Sequence, residues 1–150
     1  CHIAEVEVDP ATGLTAIVSY STVDACGRVF NHTVVEGQMH GGVAQGAGQV
    51  FGEHVVYDHA TGQLLSGSFA DYPMPRAGLV RGITMEEHPT PSKVSPLGVK
   101  GMGESGCTAS LAALTNAVLN ALRPLGISHL DMPLTPAKVW GAIQTARAGK

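Results

Sequence analysis

The 150-residue sequence predicts an α+β domain of two layers, with helices packed on a mixed β-sheet. Three observations carry that expectation. Residues 2–8 alternate between apolar and charged, a period of two. Residues 36–57 and 107–123 carry apolar side chains at helical spacing. The order along the chain is strand, strand, helix, strand, helix.

Each element has a local reason. Ala4, Val6 and Val8 lie on one side of the first strand, with Glu5 and Glu7 on the other. Asp9-Pro10-Ala11-Thr12-Gly13 is a turn, and residues 14–23, rich in Thr, Val, Ile and Tyr, form the second strand of a hairpin. Asp58-His59-Ala60-Thr61-Gly62 nearly repeats that turn, but its flanks do not match, so it is one turn solution used twice. In the helix over 36–57, Met39, Val43, Ala47 and Val50 form the core stripe. A short strand is expected near 63–66, a Pro-containing loop at 71–76, and another strand at 79–87. Residues 90–106 form a long loop with Pro91, Pro96 and four glycines, a length usually tied to function. Leu111, Leu114, Val118 and Leu122 share one face of the helix over 107–123. A last helix runs over 135–147, with Thr135 as N-cap and Pro136 at its first position. No linker or composition shift divides residues 1–150, so they are expected to be one domain.

Composition excludes several classes. Hydrophobic residues make up 44% and charged residues 14%, which rules out a disordered segment. Net charge is −3 with no basic run, so nothing points to nucleic acid or an anionic membrane. No apolar stretch is long enough to span a bilayer. Cys1, Cys26 and Cys107 lie far apart without CxxC spacing, which argues against a disulfide framework and a zinc site. A reducing, cytoplasmic compartment is the default reading. The seven histidines are scattered and read as ordinary surface or core residues, with only His40 set beside other polar candidates. The chain starts without Met and within a strand, so a piece of something longer is expected.

Glycine is the outlier. Ten of the 19 glycines fall in two windows. The first holds Gly37, Gly41, Gly42, Gly46, Gly48 and Gly52. Six glycines in a helix cost about 5 kcal/mol, as much as the whole stability of a marginal domain. Something must offset that cost, and spacing by four lets another backbone or a ligand approach closely. Gln38, Gly42, Gln45 and Gln49 lie near one face and offer amides beside bare backbone. Tight helix packing with solvent-exposed glutamines explains the same pattern.

The second window, Gly98 to Gly106, leads into a helix N-terminus, where free N–H groups suit an anion or an oxygen-rich ligand. Gly101–Gly106 spells GxGxxG, but Ser95–Lys100 makes a poor strand and residues 118–130 hold no acid, so a nicotinamide-dinucleotide site is weakly supported. Glu104 stands in the loop either as a helix cap or as a general base held over a ligand. Composition does not choose between them.

Three segments occur in order: Glu36-Gly37-Gln38-Met39-His40-Gly41-Gly42-Val43-Ala44-Gln45-Gly46, Asp71-Tyr72-Pro73-Met74-Pro75, and Lys100-Gly101-Met102-Gly103-Glu104-Ser105-Gly106. Together they resemble the C-terminal part of the large subunit of molybdenum hydroxylases, the xanthine dehydrogenase, aldehyde oxidase and carbon monoxide dehydrogenase family. Their details are nearest the bacterial carbon monoxide dehydrogenase-like branch. The resemblance spans nearly the whole chain. It implies molybdopterin, in the cytosine dinucleotide form, with molybdenum. It also implies [2Fe-2S] clusters and FAD on other domains or subunits. The partners implied are the remainder of the large subunit, an iron–sulfur subunit, a flavin subunit and a small-molecule substrate. In that family a glutamate takes a proton from a metal-bound hydroxyl, and the oxygen attacks an aldehyde, N-heterocycle or related carbon. That glutamate maps onto Glu104. Gly101, Met102 and Gly103 match the backbone of the loop that reaches the cofactor. Gln38 matches a cofactor-facing glutamine, and Gly41, Gly42 and Gln45 match the rest of its motif. Lys100 matches a basic residue with no assigned catalysis. No protein ligand to the metal is expected, because the organic cofactor holds it.

A second reading stands beside this one. The chain is then a non-catalytic assembly module of a multisubunit complex, its glycine helix packs on partners, and Glu104 is only a cap. In either case the chain is not expected to turn over alone.

Overall fold

β1 (His2–Val8) and β2 (Thr15–Asp24) form the antiparallel hairpin that the alternation predicts. The computed structural model describes residues 1–149. Ala4, Val6 and Val8 face the core, while Ile3, Glu5 and Glu7 are exposed. In the turn the Asp9 N–H donates to Leu14 O at 2.9 Å and the Gly13 N–H to Asp9 O at 2.7 Å. Gly13 has φ +74°, a left-handed angle that favours glycine. The Thr12 hydroxyl and the Ala11 amide donate to the Asp9 carboxylate and hold it below its ordinary pKa. Asp58–Gly62 repeats this bonding: Asp58 N–H to Gln63 O and Gly62 N–H to Asp58 O, both at 2.8 Å, with Gly62 at φ +72°.

The flanks of the second turn behave differently. The strand expected near 63–66 does not form, and the pairing stops at a single Tyr57–Leu64 bridge. Leu64 and Leu65 are 38% and 52% exposed, so neither face of this ribbon is covered. An uncovered two-stranded ribbon is marginal in water. β3 is shorter than expected, Ile83–Glu87 instead of 79–87. Gly82 at φ +65° breaks the extended run, and Leu79 and Val80 reach the core from a turn. β3 pairs in parallel with β2, Tyr20 opposite Ile83, which makes the sheet mixed in the order β1-β2-β3.

A register shift between Glu5 and Val6 leaves Val18 unpaired, since Glu5 faces Ser19 and Val6 faces Ile17. This bulge reverses the inward–outward parity of β2. Tyr20, Thr22 and Asp24 therefore turn inward and are nearly fully buried. The buried Tyr20 hydroxyl lies 2.7 Å from His2 Nδ1, and His2 Nε2 lies 3.5 Å from Asp24 Oδ1. Burial pushes the Tyr20 pKa well up, so the hydroxyl stays protonated. The His2 side chain is fully buried, and desolvation lowers its pKa against the opposing pull of Asp24.

α1 spans His32–Phe51, shifted toward the N-terminus from the expected 36–57. Asn31 Oδ1 caps it by accepting from Val34 N at 3.1 Å. Gly52 closes it, its N–H bonding back to Gly48 O. α2 spans Ser105–Leu122, a 3₁₀ turn follows at Arg123–Leu125, and α3 spans Pro136–Ala148 with Thr135 as N-cap. Met39, Val43, Ala47 and Val50 of α1 pack with Leu114, Val118 and Leu122 of α2 and Val139 and Ile143 of α3. The helices thus form the second layer of the predicted α+β fold.

α1 and α2 touch backbone to backbone. A Cβ on Gly106 would stand 2.6 Å from Met39 O and 2.9 Å from Val43 N. A Cβ on Gly42 would stand 2.9 Å from Gly106 Cα, and one on Gly46 would collide with the Ser110 hydroxyl.

Gly106→Ala should therefore destabilise the fold by about 1–3 kcal/mol in urea denaturation. Gly141→Ala in α3, where nothing lies within 4 Å, should stabilise it by about 0.5–1 kcal/mol. The buried His2 makes stability pH-dependent. The unfolded chain takes up a proton near the ordinary value of 6.5, and the folded chain does so only at lower pH. Stability present above that pH is lost as pH falls through it. His2→Gln, which keeps a polar amide but does not titrate, should flatten the loss measured between about pH 7 and 5.

Candidate functional site

The three sequence motifs converge on α1. Asp71–Pro75 packs on its C-terminal half: Tyr72 donates to Glu53 Oε2 at 2.6 Å, Pro75 lies against Gly48, and Pro73 against Gly52. That hydrogen bond is the main cause that raises the Tyr72 pKa. An apolar hollow of about 430 Å³ opens there, lined by Phe51, Pro73, Met74 and Leu79 among others. It shares no residue with the loop before α2. The Lys100–Gly106 motif packs on the N-terminal half of α1, through Gly106 and Gly42.

The glycines of α1 divide into two sets. Gly42, Gly46, Gly48 and Gly52 are used within the chain, against α2 or the proline loop. Gly37 and Gly41 have nothing within 4 Å, although both are helical. Among the described residues, nothing in the chain offsets their cost. Gln38 and Gln45, seven apart, fall on the same side and are exposed. Among the described residues, Gln49 alone of the helix's three glutamines makes a side-chain hydrogen bond, its Nε2 lying 3.9 Å from Cys107 Sγ.

The loop before α2 faces this bare surface. A Cβ on Gly103 would stand 3.8 Å from Gln38 Oε1, so the loop brings those two together. Gly101 is exposed with nothing within 4 Å. Met102 is a peg: its side chain is partly buried and packs against the core. Glu104 occupies the N-cap position of α2, but its side chain makes no cap hydrogen bond and is exposed. Its carbonyl, not its carboxylate, accepts from Thr108. The cap explanation for Glu104 therefore finds no support in the geometry. Nor does the dinucleotide explanation, since only a lone bridge, Gly27–Val99, precedes the GxGxxG segment where a strand is needed.

Sequence reasoning missed the His2–Tyr20–Asp24 cluster, because it depends on a bulge and on cross-strand pairing. His40 has a buried Nε2 without a hydrogen-bond partner. Among the described residues no group of three or more His, Cys, Asp and Glu is placed to hold a metal ion, and no helix is long and apolar enough to cross a membrane.

Residues 1–80 match the molybdopterin cofactor-binding domain, and the chain belongs to that family. Within it, the chain is similar to large subunits of molybdenum hydroxylases. It is 43% identical over 138 residues to the nicotine 6-hydroxylase large subunit of Paenarthrobacter nicotinovorans, covering 92% of this chain and 17% of that one. It is 35% identical over 143 residues to the carbon monoxide dehydrogenase large chain of Hydrogenophaga pseudoflava, covering 95% and 18%. The crystal structure of quinoline 2-oxidoreductase from Pseudomonas putida 86 matches with TM-score 0.91 at 39% identity, over 95% of this chain and 18% of that one. The chain thus spans less than a fifth of the length of these relatives. The family match contains Gln38, Gly41, Gly42 and Gln45 and ends before Gly101–Glu104.

The residues fit such a cofactor. Bare glycine backbone at Gly41, Gly101 and Gly103, with an unengaged amide at Gln38, leaves a cradle that side chains would fill. Gly41→Ala should raise the unfolding free energy by about 0.5–1 kcal/mol, as for any exposed helix glycine. The same substitution should lower the pterin and molybdenum content of the assembled protein. Both are read on one preparation, by denaturation and by metal and pterin analysis.

Proposed function

We propose that the chain is the C-terminal, cofactor-holding part of a molybdenum hydroxylase large subunit, with Glu104 as general base. The observation that carries this is the exposed Glu104 carboxylate, free of a cap hydrogen bond, next to Gly103, which lies against Gln38, in a chain of the molybdopterin cofactor-binding family. The cofactor, when bound, supplies two-electron oxidation of a small substrate with oxygen drawn from water. Gln38 and Gln45 would hydrogen-bond its organic part from α1. Gly41, Gly101 and Gly103 would leave room for it, and Gly42 holds the loop against α1. Met102 pegs the loop to the core, and the Glu104 carboxylate accepts a proton. Their rigid support on two helices favours a fixed geometry for that transfer.

The substrate class is an N-heterocycle, an aldehyde or carbon monoxide. The similarity to nicotine 6-hydroxylase and quinoline 2-oxidoreductase favours the heterocycle. The pterin is proposed to be the cytosine dinucleotide. [2Fe-2S] clusters and FAD, held by the remaining domains or partner subunits, would supply the electron path. A related protein is named as a subunit of the 6-hydroxypseudooxynicotine dehydrogenase complex, which supports a multisubunit setting. Three free cysteines support a reducing, cytoplasmic compartment.

Glu104→Gln in the assembled enzyme should keep molybdenum and pterin content and lower kcat by about 10²–10⁴-fold. Turnover at the wild-type rate in that variant would overturn the assignment.

A further inference from the structure

We propose that Gly27 is a positioning residue, setting how far the Lys100–Glu104 loop reaches across α1. The inference rests on the reading of Glu104 as base. Gly27 lies just past the end of β2, is buried, and has φ +77°. A Cβ there would stand 2.6 Å from Gly98 O and 2.8 Å from Lys100 N, both backbone atoms. Around it the two segments are tied by short hydrogen bonds. Arg28 N donates to Gly98 O at 2.9 Å, and Lys100 N donates to Cys26 O at 3.1 Å. Gly98 itself is left-handed, at φ +72°, and its carbonyl also accepts from Ser92 N at 3.0 Å.

The loop is therefore clamped at both ends. One clamp is this pair of backbone bonds, which delivers Lys100. The other is Gly106 against Met39 and Val43 of α1. Only residues 101–105 lie between, and Met102 is pegged into the core. With the far clamp held by backbone contact, a shift of Lys100 at the near clamp is passed to the exposed stretch that carries Gly103 and Glu104. The near clamp is itself anchored, because β2 carries the buried Tyr20 and Asp24, and Asp24 O accepts from His88 N at 2.8 Å. A methyl group on Gly27 needs ordinary contact distance from Gly98 O, so the two segments must part by most of an ångström. Misplacing a catalytic group by that much costs about 10²-fold in rate.

The test compares Gly27→Ala with Gly13→Ala in the assembled enzyme. Gly13 is the control: φ +74°, with a Cβ that would collide with Pro136 O and stand 2.6 Å from Trp140 N, at the hairpin tip against α3. Amide hydrogen exchange across residues 92–106 is read beside kcat, KM and the pH profile of kcat, all per bound molybdenum. Gly27→Ala should speed exchange at Lys100, lower kcat by about 100-fold with KM unchanged, and shift the pH profile. Gly13→Ala should lose at least as much thermal stability and leave all of these unchanged. Gly98→Ala, strained from the loop side of the same clamp, should act in the same direction and serves if Gly27→Ala does not fold. Wild-type exchange at Lys100 in both clamp variants overturns the proposal. So does faster exchange with unchanged kcat, or an equal kcat loss in Gly13→Ala. If Glu104→Gln retains activity, the reading of the base fails, while the exchange result still reports on the clamp.

Discussion

The backbone approach of α1 to α2 is the contact on which the rest of the structure depends. Gly42, Gly46 and Gly106 remove the side chains that would hold the helices apart. At that spacing Met39 and Val43 reach Leu114 and Val118, and all four are fully buried. The apolar burial won there, on the scale of about 1.5–3 kcal/mol per large side chain, offsets the poor helix propensity of the glycines. The same approach brings the first turn of α2 and the loop before it to the middle of α1.

α1 thereby serves two loops with one set of residues. Its C-terminal half takes the Asp71–Pro75 loop through Gly48 and Gly52, and its N-terminal half takes Gly101–Gly106. Four glycines that pack within the chain, Gly42, Gly46, Gly48 and Gly52, follow two that pack against nothing in it. The second kind, Gly37 and Gly41, sits beside the unengaged amide of Gln38 and across from Gly103. Under the proposed function, molybdopterin is the partner of that bare surface. A stable helix can carry such glycines because its other face is buried so completely.

Local periodicity made much of this legible. The alternation of residues 2–8 gave the hairpin its inner face, and Met39, Val43, Ala47 and Val50 announced the buried side of α1. Thr135 and Pro136 marked the start of α3. Glycine windows marked where backbone must come close. Errors fell where a distant partner decides. The ribbon at 63–66 has strand-like residues and lacks a covering layer. α1 begins earlier because Asn31 caps it, a cue weaker in the sequence than the glycines downstream.

The sequence by itself determined the fold class, the core stripes of α1 and α2, and the three motifs that carry the family resemblance. These depend on neighbours within one or two turns of chain, where spacing is geometry. Tertiary structure alone decided which glycines meet α2 and which stay bare. It alone decided that Glu104 is uncapped, and that the bulge at Val18 turns Tyr20 and Asp24 inward to His2. Each of those outcomes turns on atoms that meet across the fold from residues far apart in the chain, and no local pattern encodes such a meeting.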